Sequence, residues 1–289
     1  KATEGRVNIK PYYNGQLFAG KQNDEFLLMK QGVIDFALGS TINWSAAVKE
    51  LNLFSLPFLF PDYKALDAIE NGDVGKHLFG IIEGKGVIGL GWGENGYRDL
   101  TNSKRPVRKP EDLKGLKIRV VGSPIFIDIF KEMGANPVSM NWSEALSAFR
   151  QGTVDGQENP VDSVIIPNKL WQVHRYITVW KYAIDPIIFG VSKETWNDFT
   201  PKDKEAIAKV AYQTAAWQKK AARLGLEGNM PVFNKLKKQG MEVTMLTPGQ
   251  TKIFKDKTKP VYEKWSEEIG SELVRMAERD INKAIDARR

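Results

Sequence analysis

The sequence predicts an α/β protein built as two lobes of discontinuous sequence, and three observations support that. Stretches of period-two alternation and stretches of helical spacing follow one another along the chain, as they do where sheets are flanked by helices. Two segments read as crossovers between halves: the glycine-rich 91–98, with Gly91, Gly93 and Gly96 in close succession, and the apolar, β-branched 187–191. At 289 residues the chain is long enough for a substantial core or two domains.

In chain order, residues 1–5 read as the tail of a helix and 6–13 alternate as a strand, with Asn14-Gly15 a turn signal. Residues 22–31 have helical spacing through Phe26, Leu27 and Met29, ended by Gly32. Residues 33–38 read as a buried strand whose tip, Gly39 to Trp44, is small and polar and then aromatic. In an open parallel sheet, ligands gather beyond the carboxyl ends of strands; Gly-Ser-Thr is equally good helix capping. The apolar run 51–60, broken by Pro57, reads as core packing. Residues 62–75 and 76–83 are helical, and 87–92 is a strand feeding the glycine-rich crossover. A basic, proline-bearing loop covers 102–112.

The most informative stretch is 111–160. Leu116, Ile118 and Val120 alternate with Lys117 and Arg119, the period of a half-buried strand. Ser123 is expected to cap a helix with Pro124 at its first position, and Gly134 stops it. Residues 136–138 start the next strand, and Asn141 or Ser143 caps the helix carrying Ala145, Leu146 and Phe149. Asp155 to Pro160 reads as a polar turn. Residues 161–168 and 169–173 are helical or turn-like, and 176–180 is a strand. Thr200-Pro201 opens a long helix through Ala206, Val210, Trp217 and Ala221, with Gly225 and Gly228 marking its bend or end. A helix at 230–239, a strand at 241–246 and an amphipathic, charged remainder complete the chain.

Composition narrows the function. The net charge of +7 is spread over helix faces and interleaved with acids, which reads as solvated surface; no zinc-finger, RNP-like or helix-turn-helix pattern suggests nucleic acid. No apolar run reaches the roughly 18–20 residues of a membrane span. With no cysteine there is no disulfide, thiolate metal site or cysteine nucleophile. His77 and His174 have structural readings, and there is no G-x-S-x-G, H-E-x-x-H or Walker pattern. Asp155 and Glu158 read as carboxylates that fix their turn. No catalytic, metal or cofactor site is expected.

The strand around KIRV, GANPV, the SEAL helix and QGTVDGQENP together resemble the solute-binding proteins of tripartite ATP-independent periplasmic (TRAP) transporters, the DctP-like family. Upstream, GRVNIKPYYNGQL, LMKQGVIDFALGS and LFSLPFLFPDY extend the match, which covers roughly residues 5–225. The resemblance implies a two-lobed periplasmic binding protein fold. Each lobe is a mixed or parallel sheet flanked by helices, with a ligand cleft between the lobes and a long helix spanning both. The first lobe takes 1–96 and 186–225 and the second 97–185 and 226–289, with the family's first βα unit missing from this chain.

The resemblance also assigns residues. Taken alone, Arg119 beside Lys117 is the wet face of a strand. The family places its binding arginine in this strand, forty positions before the Asn of the QEN motif, and Arg119 lies forty positions before Asn159. A planar guanidinium meets a carboxylate with two parallel hydrogen bonds and keeps its charge when desolvated. Arg98 matches a second family arginine, and Trp142 an aromatic set against the ligand. Asn159, with Gln157 or Glu158, would bond ligand oxygens. Ser40 matches a polar contact position, as a hydroxyl where an acid would favour an amine-bearing ligand. Asn43, Trp44, Trp92, Glu94, Asn95 and Tyr182 are further cleft candidates.

The implied function is non-enzymatic: capture of a small organic acid between closing lobes and delivery to the small and large permease subunits, by a periplasmic monomer that does not itself enter the membrane. A C4-dicarboxylate such as malate, succinate or fumarate, one acid group per arginine, and a sugar acid such as a hexuronate are the leading ligands, with an aromatic acid third. An α/β enzyme acting on an organic acid, or a ligand-sensing module, are the other classes.

Overall fold

The computed structural model describes residues 3–13, 15–227 and 230–287. The ends of the chain, Asn14 of the expected turn, and Gly228 lie outside them.

Among the described residues, eight strands form one mixed sheet: β1 (Phe36–Ser40), β2 (Val87–Asn102), β3 (Lys117–Val120), β4 (Asn136–Ser139), β5 (Gly156–Pro160), β6 (Tyr176–Val179), β7 (Ile184–Ser192) and β8 (Glu242–Met245). The path runs β1-β7-β2-β5-β3-β4, while β6 pairs with β2 and β8. β2 and β7 make the architecture. The first part of β2 pairs antiparallel with β7, in register Val87 to Ser192 through Tyr97 to Ile184. Its last part pairs with β5 and β6. One continuous strand therefore belongs to both halves of the molecule.

The strand expected at 87–92 thus continues through the glycine-rich crossover at 91–98. The glycines do not end the strand; they bend it, with register shifts between Gly89 and Gly91 and between Glu94 and Gly96. Gly96 has φ +120°, open to glycine and closed to most side chains, and such bulges re-aim the residues around them.

One correction concerns 155–160. The polar run is no turn but a strand, β5, buried along its whole length between β2 and β3. Another concerns 6–13, which alternates as a strand yet takes no strand conformation and exposes Ile9 and Tyr13. Alternation creates a strand only where a neighbour completes its hydrogen bonds.

The helices follow their signals. Thr200 accepts a hydrogen bond from the Asp203 amide to cap the long helix Pro201–Ala222. Ser40 caps the short helix Thr41–Trp44. Ser123 stands at the N-cap of Pro124–Glu132 without making a cap bond. The long helix is tied to β2 by Gln218, whose amide exchanges hydrogen bonds with the Glu94 backbone, and by Arg223, which grips Glu94 and Asp67.

Residues 226–289 were expected in the second lobe. The final helix, Ser271–Asp286, instead buries Leu273, Val274, Ala277 and Ile281 in the same core as Leu66 and Ile69 of the helix Tyr63–Asn71. Its apolar face finds cover in the first half of the chain. A smaller core gathers Phe149, Ile165, Ile177, Phe233 and Leu236.

Candidate functional site

The sheet brings a polar cluster together where β2, β5 and β7 meet. Arg98, on β2, is 3% exposed. Its Nε and Nη2 hold the two carboxylate oxygens of Glu158; Nη2 also reaches the Glu158 carbonyl at 2.8 Å and Asn159 Oδ1 at 3.1 Å. Its Nη1 lies 3.4 Å from Asp185 Oδ2. Burial would push this guanidinium down, but Glu158 outweighs it and holds the group above the ordinary arginine range.

Each carboxylate has its own donors. Tyr182, fully buried, donates its hydroxyl to Glu158 Oε2 at 2.7 Å. Asp185 accepts from Ser40 Oγ at 2.6 Å and from Asn95 Nδ2 at 2.8 Å. Burial raises the Asp185 carboxyl, opposed by Arg98, Ser40 and Asn95. A second chain leads away from Arg98. Asn159 donates to Gln157, Gln157 donates to Thr101 Oγ1 at 2.7 Å, and Thr101 Oγ1 stands 2.9 Å from His174 Nδ1. Thr101 Oγ1 can donate to Nδ1 or accept from it, and the buried Nε2 of His174 has no partner among the described residues.

Arg119, on β3, is different. It is 2% exposed, and its Nε and Nη2 donate to a neutral acceptor, the Met140 carbonyl, at 2.9 and 2.7 Å. Its guanidinium carbon sits 5.4 Å from the centre of the Trp142 ring, a cation–π arrangement. Among the described residues no carboxylate lies within ion-pair distance of it. Burial pulls it down to about 10; Glu158 acts against that shift and Arg98 adds to it. A desolvated cation facing only a carbonyl and an aromatic ring is costly unless an anion joins it.

The structure thus gathers Arg98, Asn159, Asn95, Ser40 and Tyr182 into one network and sets Arg119 with Trp142 within electrostatic reach of it. Asn43 follows Ser40 on the short helix, and its buried Oδ1 has no partner among the described residues. Trp44 and Trp92 are placed elsewhere. Trp44 is fully buried over Gly39, packs edge-on to Phe26 and donates to Glu25. Trp92 stacks on Phe79 at 4.5 Å. Both indoles are spent on the core. Glu94 holds Arg223 of the long helix. Two surface hollows, of about 570 Å³ beside Phe58 and Trp180 and about 450 Å³ at the end of the long helix, share no lining residue with the cluster.

Sequence reasoning missed Asp185 altogether and read Glu158 as a turn carboxylate or a ligand contact, not as the buried partner of Arg98. The available signal was an acid inside the apolar run 183–191, where only a partnered carboxylate is tolerated.

A model of the bacterial extracellular solute-binding protein family 7, DctP, matches residues 1–268.

The chain belongs to that family.

Among solved structures of family members, a TRAP periplasmic solute-binding protein from Ralstonia eutropha with bound (S)-2-acetolactate is 50% identical, with a TM-score of 0.96 over 97% of this chain and 90% of that one. The sugar acid binding protein of Advenella mimigardefordensis, in complex with galactonate, is 31% identical, with a TM-score of 0.91 over 98% of this chain and 89% of that one. The 2,3-diketo-L-gulonate-binding periplasmic protein of Escherichia coli is 32% identical over 88% of this chain and 75% of its own length. The fold is accordingly that of the two-lobed TRAP solute-binding proteins, and no helix of the described residues is long and apolar enough to cross a membrane.

Proposed function

We propose that this family member captures a small organic acid whose carboxylate seats on Arg119, and that it delivers the acid in the periplasm to the small and large subunits of a TRAP permease. The carrying observation is the buried guanidinium of Arg119, held in place by the Met140 carbonyl and the Trp142 ring with no carboxylate among the described residues within ion-pair distance. Two N–H groups aligned on a carboxylate would supply the missing charge and fix its orientation. Asn159, Asn95, Asn43, Ser40 and Arg98 would meet the rest of the ligand, while Tyr182 holds Glu158 in position.

An enzymatic reading gains no support, because the carboxylates beside the site are held as hydrogen-bond acceptors: Glu158 by Arg98 and Tyr182, Asp185 by Ser40 and Asn95. In this reading the protein works as a monomer. Residues 1–96 and 186–225 form one lobe and 97–185 the core of the other, with β2 and β7 as the connecting strands. Relatives bind ligands on both sides of one question: the protein of Rhodobacter capsulatus, 28% identical over 95% of this chain, is a C4-dicarboxylate-binding protein, whereas the Advenella protein takes a sugar acid.

Thermal unfolding against a panel of organic acids tests the proposal. At least one acid should raise the midpoint, and Arg119→Ala should abolish the response. A full response in Arg119→Ala would remove the proposed role.

A further inference from the structure

The two arginines of the site differ in the charge they have left, and that difference bears on the ligand. Arg98 is saturated. Three of its bonds go to Glu158, one to Asn159 and a longer one to Asp185. Arg98, Glu158 and Asp185 are each at most 3% exposed, so these charges act on one another without the screening water would supply. Two acids already share this cation. A ligand carboxylate brought to Arg98 would be a third, buried against Glu158 and Asp185, and like charges packed out of water repel strongly. Arg119 has only neutral partners among the described residues, the Met140 carbonyl and the Trp142 ring.

The remaining polar groups around the cluster include amide oxygens with no donor among the described residues, that of Asn43 buried and that of the half-buried Asn95 not. The buried Oδ1 of Asn43 has no partner among the described residues. Asn95 gives its Nδ2 to Asp185, and its Oδ1 takes no hydrogen bond from a described residue. An amide oxygen accepts from a hydroxyl and repels a carboxylate.

We propose that the site selects a monocarboxylate carrying hydroxyl groups and discriminates against C4-dicarboxylates, because of its two buried arginines only Arg119 has no carboxylate partner among the described residues. This inference rests on the reading that Arg119 seats the ligand carboxylate. Glu158 and Asp185 are then specificity-determining: they convert Arg98 from a second anion site into a hydrogen-bonded wall.

Calorimetry on the full chain tests it with D-galactonate, D-glucuronate and D-glycerate against succinate and L-malate. At least one hydroxylated monocarboxylate should bind roughly a hundredfold or more tighter than either dicarboxylate. Glu158→Gln, which keeps the shape but returns the charge of Arg98, should move the succinate-to-monocarboxylate affinity ratio at least about tenfold towards succinate. Asp185→Asn is the second variant and should move the ratio the same way, so that the test survives if Glu158→Gln does not fold. A dicarboxylate that binds the unaltered protein as tightly as the best monocarboxylate would overturn the selectivity and leave Arg119 standing. An unchanged ratio in a folded variant would do the same. Silence towards both classes, with Arg119→Ala indistinguishable from the parent, would overturn the Arg119 reading and the selectivity with it.

Discussion

At the scale of single residues, the proposed site rests on a contrast between two buried guanidinium groups: one paired with protein carboxylates, one with only neutral partners among the described residues. Removing a partner from the first should be expensive. Glu158→Ala strips Arg98 of its main counter-ion and Tyr182 of its acceptor inside the core. Breaking a buried pair in this way costs about 3–5 kcal/mol, so denaturant unfolding should show a loss of that order. Arg119→Ala should cost less stability, since it removes a desolvated charge along with its bonds to the Met140 carbonyl, while costing the whole ligand response. The DctP-like pattern singles out Arg119 and Asn159 as candidates, and both side chains are buried in the structure. The pairing of Glu158 and Asp185 carries no such mark, since a buried acid is recognisable only once its donors, from elsewhere in the chain, are brought to it. The opposite error befell Trp44 and Trp92. An aromatic near the tip of a strand suits a cleft or a core equally well, and only packing against Phe26 and Phe79 decides.

At the scale of elements, β5 shows how a polar strand can be buried. Glu158 is paired to Arg98, while Gln157 and Asn159 are threaded into the chain that ends on His174. That ending makes the strand sensitive to acid. Burial pulls His174 down to about 4 from an ordinary 6.5, with Asp155 opposing. Between those two values the unfolded chain takes up a proton that the folded protein refuses. Stability from this group is therefore complete above about pH 6.5 and is lost as the pH falls towards 4. From pH 7 to pH 5 the loss should be roughly 2 kcal/mol, read from urea midpoints. His174→Gln, which retains an acceptor for Thr101, should remove that part of the pH dependence. Equal acid sensitivity in parent and variant would exclude the histidine as its source. The glycine-rich segment at 91–98 teaches a related lesson: β7 supplies partners along β2, and pairing overrides the local preference for a loop.

At the scale of the whole molecule, two contacts join segments that the proposed function assigns to opposite lobes. Asn23 Nδ2 donates to the Gly122 carbonyl at 2.7 Å, and the backbone at Gly20 approaches so closely that a Cβ there would stand 2.8 Å from Ser143 Oγ. Both join residues before 25 to the region after 120. A bond formed only when the lobes are shut adds to ligand affinity without contacting the ligand. Asn23→Ala should therefore weaken binding by about 0.5–1.5 kcal/mol, some two- to tenfold, with an unchanged unfolding midpoint in the absence of ligand. Small-angle scattering should show the radius of gyration falling when ligand is added, with bending confined to β2 and β7. An affinity unaffected by Asn23→Ala would mean that this contact persists in the open form.

The sequence by itself determined the alternation of strands and helices, most helix starts and the α/β family, because these are written in local spacing and in motifs a few residues long. Tertiary structure decided that β2 runs unbroken through both halves, that a polar hexapeptide becomes a central strand, that the last helix covers the first half, and that Arg98 is already neutralised. Each of these depends on which distant group supplies a hydrogen bond, a charge or an apolar face, and such partners are chosen in space, across 60 or more positions of chain in the case of Arg98 with Glu158.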